Sequence, residues 1–371
     1  MTTQAESKPE KPKEGPALVT RPMRIDADDL EMFRACFSKN SDRPRSQESL
    51  EWQYHRNTTG RIFVDVAMAP DNDRYAAIYA SLPGWMRING ERRLIIQSLD
   101  TLTDADFRGK GLFVSLAKKT FARAAADGAA LIYGFPNKSS APGFFKKLGW
   151  VELGTVPFLL RPLRLSYAAE RLKLPAAARA LVPKTPLVAP FGRQRQKGVR
   201  EITLVDPRMT ALWERFCVNV GVAVERDAAY LKWRIYDKPG ESYRTFIYED
   251  GERDAIRAMC IFTVKDKHGG RIGYVMELLH DRTFAGMRAA SHLLGLAVRE
   301  MSDDGADSVL AWSMAHTASF PILARHAFLP LPERLRPIEL HLGVRAFDDA
   351  IAPVVQDRAK WYLSYLDSDT V

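Results

Sequence analysis

Between Asp100 and Phe113 the chain reads Asp-Thr-Leu-Thr-Asp-Ala-Asp-Phe-Arg-Gly-Lys-Gly-Leu-Phe. Gly109 and Gly111 stand where a side chain would keep a ligand away from the backbone, and Arg108 and Lys110 bring positive charge to the same place. The stretch reads as a strand end, a loop and then a helix from Leu112 to Ala126. The amides from Arg108 to Phe113 are then the unpaired donors of a helix N-terminus, which suits an anion, and the predicted ligand is a pyrophosphate. A lone Gly-x-Gly also fits a tight turn that holds nothing. The dinucleotide fingerprint needs a third glycine, where Phe113 and Val114 follow instead. The nucleotide-hydrolase loop needs Gly-Lys-Ser/Thr, and here Gly111 follows Lys110.

The elements that must hold this loop follow downstream. Ala129–Pro136 is a short apolar run with the look of a buried strand. Asn137-Lys-Ser-Ser-Ala is a loop and helix start, and Gly143-Phe-Phe-Lys-Lys-Leu-Gly-Trp150 is a helix stopped by Gly149 before a new strand. Thr103, Phe107, Arg108, Gly109, Lys110, Gly111, Leu112 and Phe113 together resemble the acyl-CoA loop of the GNAT acyltransferase superfamily. Phe107 replaces its tyrosine and Ala105 its proline. Gly143–Trp150 resembles the closing element of that family, except that Phe145 stands where a tyrosine often serves as general acid. Phenylalanine has no proton to give.

The resemblance implies a fold in which two central strands splay apart. It also implies an acyl-CoA donor, acetyl-CoA or another, with Leu102 and Thr103 supplying backbone amides to the pantetheine and the acyl carbonyl. Attack by an amine needs a proton acceptor. Asp100 is the candidate base, ahead of Gln97, and its alternative is an ion pair with Arg93 or a lysine. Asn137 either touches the pantetheine or caps the next helix. Asp104 and Asp106 read as surface charges, and Ser139 and Ser140 as caps.

At 371 residues and 46% hydrophobic residues, the chain suits two globular domains. No apolar run approaches the roughly 20 residues of a membrane span, and residues 1–18 read as a disordered tail. Cys36, Cys217 and Cys260 form no CxxC pair, so a reducing cytoplasm is expected. The seven histidines show no ligand spacing, so no metal is expected.

An internal repeat divides the chain. Cys36 and Cys217 each lie sixteen residues before a tryptophan in a Leu-x-Trp triplet, Trp52 and Trp233. Arg93–Ile96 matches Arg271–Tyr274, and Lys147–Trp150 matches Arg325–Phe328, both at an offset of 178. The expected fold class is mixed α/β, with two tandem domains of twisted, mostly antiparallel sheet flanked by helices. The expected extents are 19–162 for the CoA-binding domain, 163–200 for a basic, proline-containing linker and 201–371 for a degenerate copy. At the same offset Phe107–Gly111 falls on Ala285–Ala289, which puts side chains, Met287 and Ala289, at both glycine positions. The second copy is therefore expected to bind no CoA and to wall an acceptor cleft. The enhanced intracellular survival acetyltransferases have a similar tandem plan.

Glu277, His280 and Tyr54 are the acceptor-side candidates, each with a plain core reading beside it. Arg161–Arg200 carries ten Lys/Arg against Glu170 alone, a surface for an acidic partner such as a membrane face or an acyl carrier protein. No DNA-binding module is visible, and the oligomeric state is open. The expected function is N-acylation of an amine on a small molecule or sugar derivative, by direct attack in a ternary complex. The alternatives are a carrier-protein- or aminoacyl-tRNA-dependent transferase of the same fold, and a non-catalytic acyl-CoA sensor.

Overall fold

The structure, a computed structural model, describes residues 18–41, 44–71, 73–171, 175–182, 187, 196–252 and 254–369. The strands of the first half are β1 (Thr20–Pro22), β2 (Phe63–Met68), β3 (Tyr75–Ile88), β4 (Glu91–Thr103), β5 (Leu131–Gly134), β6 (Val151–Thr155) and β7 (Phe158–Pro162). Those of the second are β8 (Val199–Ile202), β9 (Val222–Val224), β10 (Arg244–Asp250), β11 (Ala255–Lys267), β12 (Gly270–His280), β13 (Ser308–Trp312), β14 (Leu329–Pro330) and β15 (His341–Ala346). They form two mixed sheets. One runs β1-β2-β3-β4-β5-β15-β6 with β9 beside β3, and the other runs β14-β7-β13-β12-β11-β10-β8.

Each sheet is built around one long hairpin, β3–β4 or β11–β12. Asn89-Gly90 and His268-Gly269 turn the two hairpins, all four residues at positive φ, the mirror-image turn that matches strand twist. Each hairpin then adds one parallel neighbour, β5 beside β4 and β13 beside β12. The expectation of two tandem, mostly antiparallel α/β units holds at this level.

Side-chain alternation gives the first sheet two covered faces. Phe63, Ala67, Tyr79 and Ile96 pack under the helix Leu112–Ala126 through Leu116 and Phe121. Val64, Val66 and Ile78 point the other way, against Leu30, Phe33 and Phe37 of the helix Ala27–Asn40.

A cut at residue 162 does not separate the two sheets. β7 pairs with β13 and β14 in the second sheet, while β15 returns to lie between β5 and β6 in the first. Each half therefore lends a strand to the other. One core runs through both, from Ile95 and Tyr133 to Tyr274 and Met276, with the C-terminal Trp361 and Tyr365 between them. Within the basic segment, helices cover Leu165–Arg171 and Ala176–Ala180. Arg161 is buried in β7 and donates to the His326 carbonyl, so it is no part of a charged surface. Much of that segment, and the N-terminal tail, lies outside the described residues. Among the described residues no helix is long and apolar enough to cross a membrane.

Candidate functional site

The glycine loop lies at the mouth of a surface cavity of about 280 Å³ lined by Thr103, Phe107, Arg108, Lys110, Phe113 and Lys147 among others. Gly109 and Gly111 have φ of 80° and 72°, a conformation that side-chain-bearing residues rarely adopt. A Cβ at either would meet no protein atom within 4 Å, so the space in front of the backbone is open. Gly111 is the N-cap of the helix Leu112–Ala126 without a side-chain cap, and the first turn holds no acidic residue. Its amides are therefore left for a ligand.

The loop's own acids are spent inside it. Asp104 is buried and caps the Asp106 amide, and Lys39 pairs with both carboxylates at 3.0 and 2.7 Å. Burial would raise the Asp104 carboxyl, but the Asp106 amide and Lys39 outweigh it and hold it low. Asp104 is thus a buried cap, not the surface charge expected. Asn40, on the same helix as Lys39, accepts from the Ala105 amide and fixes the loop from below. Among the described residues no carboxylate pairs with Arg108 or Lys110, whose charge faces the cavity.

β4 links this loop to the interior. β4 and β5 pair only from Ile96 to Ser98, after which they separate, and β4 runs on alone on that side to Thr103. Leu102 and Thr103 lie on this free stretch. A bulge sets two residues, Asp100 and Thr101, against Tyr79, and Asp100 takes φ 46°. Its carboxylate is engaged chiefly through Oδ2. It accepts from Tyr54 Oη at 2.8 Å and Gln53 Nε2 at 2.9 Å, and it pairs with Arg45 at 3.2 Å. The contacts carry the ion-pair reading, with Arg45 as partner; Arg93 instead meets Asp348. Oδ1 meets Arg45 at 3.4 Å, so the geometry favours the ion pair over a base.

The second half differs more than its sequence offset implied. Ala285–Ala289 are not a loop at all but the first turns of the helix Phe284–Asp303. Only Asp281, Arg282 and Thr283 join β12 to it. Thr283 caps the Gly286 amide, and Asp281 accepts from both the Thr283 amide and hydroxyl. A side-chain carboxylate occupies the place where the first half presents bare amides.

Between the halves lies a second cavity of about 240 Å³. Gln97 and Leu99 of β4 form its floor, Trp52 and Trp233 one wall, and Arg234, Lys238 and Asp367 part of its polar rim. Thr103 and Leu99 are four residues apart on one strand, about 13 Å, so the two cavities are ends of one track along β4.

The acceptor-side candidates are not brought into this cavity. Glu277 is sealed in the core. Arg226 Nε reaches it at 2.9 Å and Ser364 Oγ at 2.8 Å, and the Tyr362 hydroxyl donates to it. His280 is buried beside Phe216 and accepts from the Arg282 amide, while burial lowers its pKa. Tyr54 is buried under β4 and serves Asp100; burial, then the Asp100 charge, keep its hydroxyl protonated. Asn137 is exposed and its Oδ1 accepts from the Ser139 and Ser140 amides, which is the capping alternative. Phe145 turns toward β15, against Gly343 and His341. All three cysteines are buried thiols, and burial pushes Cys36 up to about 12, so none is an available nucleophile. Sequence reasoning missed Arg234, Lys238 and Asp367. Arg234 follows Trp233 directly, and that adjacency was the one signal for it.

Residues 23–152 match the family of acetyltransferase (GNAT) domains. Among solved structures the chain is similar to Saccharomyces cerevisiae N-myristoyltransferase with bound myristoyl-CoA, at 13% identity and a TM-score of 0.61, over 91% of this chain and 86% of that one. A second structure of that protein with bound myristoyl-CoA gives 12% identity and a TM-score of 0.60, over 91% and 82%. At such identity the likeness is one of fold. No curated protein matches the sequence. The family match falls on the glycine loop and its supporting strands, and the fold match spans both sheets. Residues 23–152 thus match a GNAT acetyltransferase domain, and over its length the chain shares the two-sheet fold of those N-myristoyltransferase structures.

Proposed function

We propose that this protein transfers a short acyl group, in the first place acetyl, from CoA to the amine of a small molecule, by direct attack in a ternary complex. The observation that carries the reading is the track along β4. At one end are the open amides of Gly109–Phe113 with Arg108 and Lys110; at the other is the cavity between the halves.

In this reading the pyrophosphate takes the helix N-terminus and the two cations. The pantetheine adds to the free edge of β4 at Leu102 and Thr103, as a strand would. The thioester then comes to rest near the bulge, where β4 and β5 have parted. The backbone amides there support the oxygen that gains charge. With Phe145 turned to β15 and Asp100 engaged by Arg45, neither protonates the leaving thiolate, and solvent supplies that proton.

The cavity is below the usual 300–1,000 Å³ of ligand pockets, which favours a compact acceptor and a short acyl chain. The second half, with Asp281 at its helix start, holds no donor and serves as a wall. The buried thiols suit a reducing cytoplasm.

The test is a thermal melt with CoA, followed by thiol release from acetyl-CoA and from myristoyl-CoA over an amine panel. Stabilisation by CoA with release from acetyl-CoA is expected. Stabilisation without release from either donor would favour a sensor, and no stabilisation would end the proposal.

A further inference from the structure

The cavity between the halves has two ends of opposite charge. At one end a single guanidinium, Arg226, serves two buried carboxylates, Glu277 at 2.9 Å and Asp367 at 2.7 Å. Asp367 is 2% exposed. Its Oδ2 accepts from Arg226 and the Ser364 amide, while its Oδ1 is buried with no hydrogen-bond partner, and the residue lines the cavity. A buried carboxylate oxygen without a donor is costly, and that cost is recovered when a donor arrives.

The other end is positive. Arg234 is 4% exposed. Among the described residues its hydrogen bonds go to neutral oxygens, the Leu366 and Ser368 carbonyls at 3.3 and 2.6 Å and the Tyr243 hydroxyl at 3.5 Å. Glu241 is shared between Lys265, which it bonds closely, and Lys238 at 3.8 Å. Asp369 adds a second carboxylate on this side, facing Arg45 and Arg234. Arg234 and Lys238 both line the cavity on this side. Burial, then Arg234 and Lys265, push Lys238 down to about 6, against Glu241 and Asp369, so a carboxylate bound beside it would draw a proton onto it.

We infer that the acceptor is a zwitterion, an amine and a carboxylate on one small molecule of the amino-acid class, its ammonium on Asp367 Oδ1 and its carboxylate on Arg234 and Lys238. The inference rests on the acyltransferase reading for the meaning of "acceptor" but concerns a binding site that can be tested without turnover. Asp367 has a second part in it. Burial raises its carboxyl, which makes it a stronger proton acceptor: the bound ammonium first gives one proton to Oδ1, the neutral amine then attacks, and as the N–C bond forms and the C–S bond breaks the nitrogen's second proton passes through solvent to the leaving thiolate.

The experiment is calorimetric titration of matched pairs, free L-amino acids against their C-terminal amides, into protein saturated with CoA. At least tenfold tighter binding of the acids is expected. Arg234→Lys should remove most of that preference while leaving the CoA-induced melting shift unchanged. Because a buried arginine can matter for folding, Lys238→Met serves as the second variant and should also narrow the preference. Equal binding of acids and amides, or no binding of any pair, overturns the inference. The CoA shift reports separately on the donor site, so a failed acceptor assignment and a failed acyltransferase reading give different results.

Discussion

Trp52 and Trp233 stack with ring centroids 4.7 Å apart and planes 10° from parallel, and each indole N–H donates to the other's backbone carbonyl, at 2.8 and 3.0 Å. Both sit on single π-helical turns, Glu51–His55 and Lys232–Tyr236. The repeat thus meets itself, its two copies related by a local two-fold at this pair. The reciprocity goes further. Arg45 and Arg226 each lie seven residues before their tryptophan and pair with a carboxylate beside the bulge of the central strand, Asp100 or Glu277.

This pair should couple the stability of the halves. Trp52→Phe keeps the stack but leaves the Trp233 carbonyl without its buried donor, a loss of about 1–3 kcal/mol. Trp233→Phe should cost a similar amount. The double variant should cost measurably less or more than the two together, because the residues touch. Urea melts followed by fluorescence and by far-UV dichroism check this. The transitions should stay single and coincident, since β7, β15 and the common core bind the halves into one unit; separate transitions would contradict a shared core.

At the loop, Gly111→Ala places a Cβ at φ 72°. The unliganded protein should lose about 1 kcal/mol, and the CoA-induced melting shift should shrink sharply. Arg108→Ala and Lys110→Ala should each weaken CoA about tenfold and flatten its salt dependence, with little effect on the unliganded melt. Asp281→Asn in the second half should leave CoA affinity alone. A loss there equal to that at Gly111 would mean that the second helix start is also a donor site.

The form of the glycine loop was legible because its parts are consecutive: two glycines, two cations and a helix start within six residues. The fold class was legible from the repeat. Most of the rest was set by contacts remote in sequence. The offset of 178 put Ala285–Ala289 opposite the loop, but the start of that helix is fixed by the Thr283 cap, so the connection has only three residues. Glu277 reads from sequence either as an acceptor contact or as a satisfied core group, and Arg226, Tyr362 and Ser364, which close over it from elsewhere in the chain, decide for the core. The cut at residue 162 assumed that each half keeps its own strands, and only the pairing of β7 and β15 reveals the exchange. Asp367 carried no signal, since an aspartate among Ser364–Ser368 reads as surface.

Asp100→Asn tests whether that carboxylate is structural. The change leaves Arg45, itself largely buried, without its charge partner, and a loss of about 3 kcal/mol is expected. Turnover per folded molecule should stay within a few-fold, and the pH–rate profile should keep its acid limb. A fall of a thousandfold in kcat with CoA affinity intact would restore Asp100 as the base.

Lys238 gives a pH signature with a definite sign. Its ammonium titrates near 6 in the folded protein against 10.5 for the free group. Between these values the unfolded chain binds the extra proton, so the lysine penalises folding most below about 6, and the penalty lifts as pH rises toward 10.5. The groups that set this are Arg234 and Lys265, which push the pKa down with burial, and Glu241 and Asp369, which oppose them; Tyr243 donates no charge but lies at 3.0 Å. Lys238→Met removes the titration. The stability of the wild type relative to this variant, from urea melts at pH 6, 7.5 and 9, should therefore climb with pH. A flat difference would mean that Lys238 is charged at neutrality. Binding a carboxylate beside it should have the opposite sense, taking up a proton, so titrations of an amino acid at pH 7.5 in buffers of different ionisation enthalpy should report net proton uptake in the wild type and none in Lys238→Met.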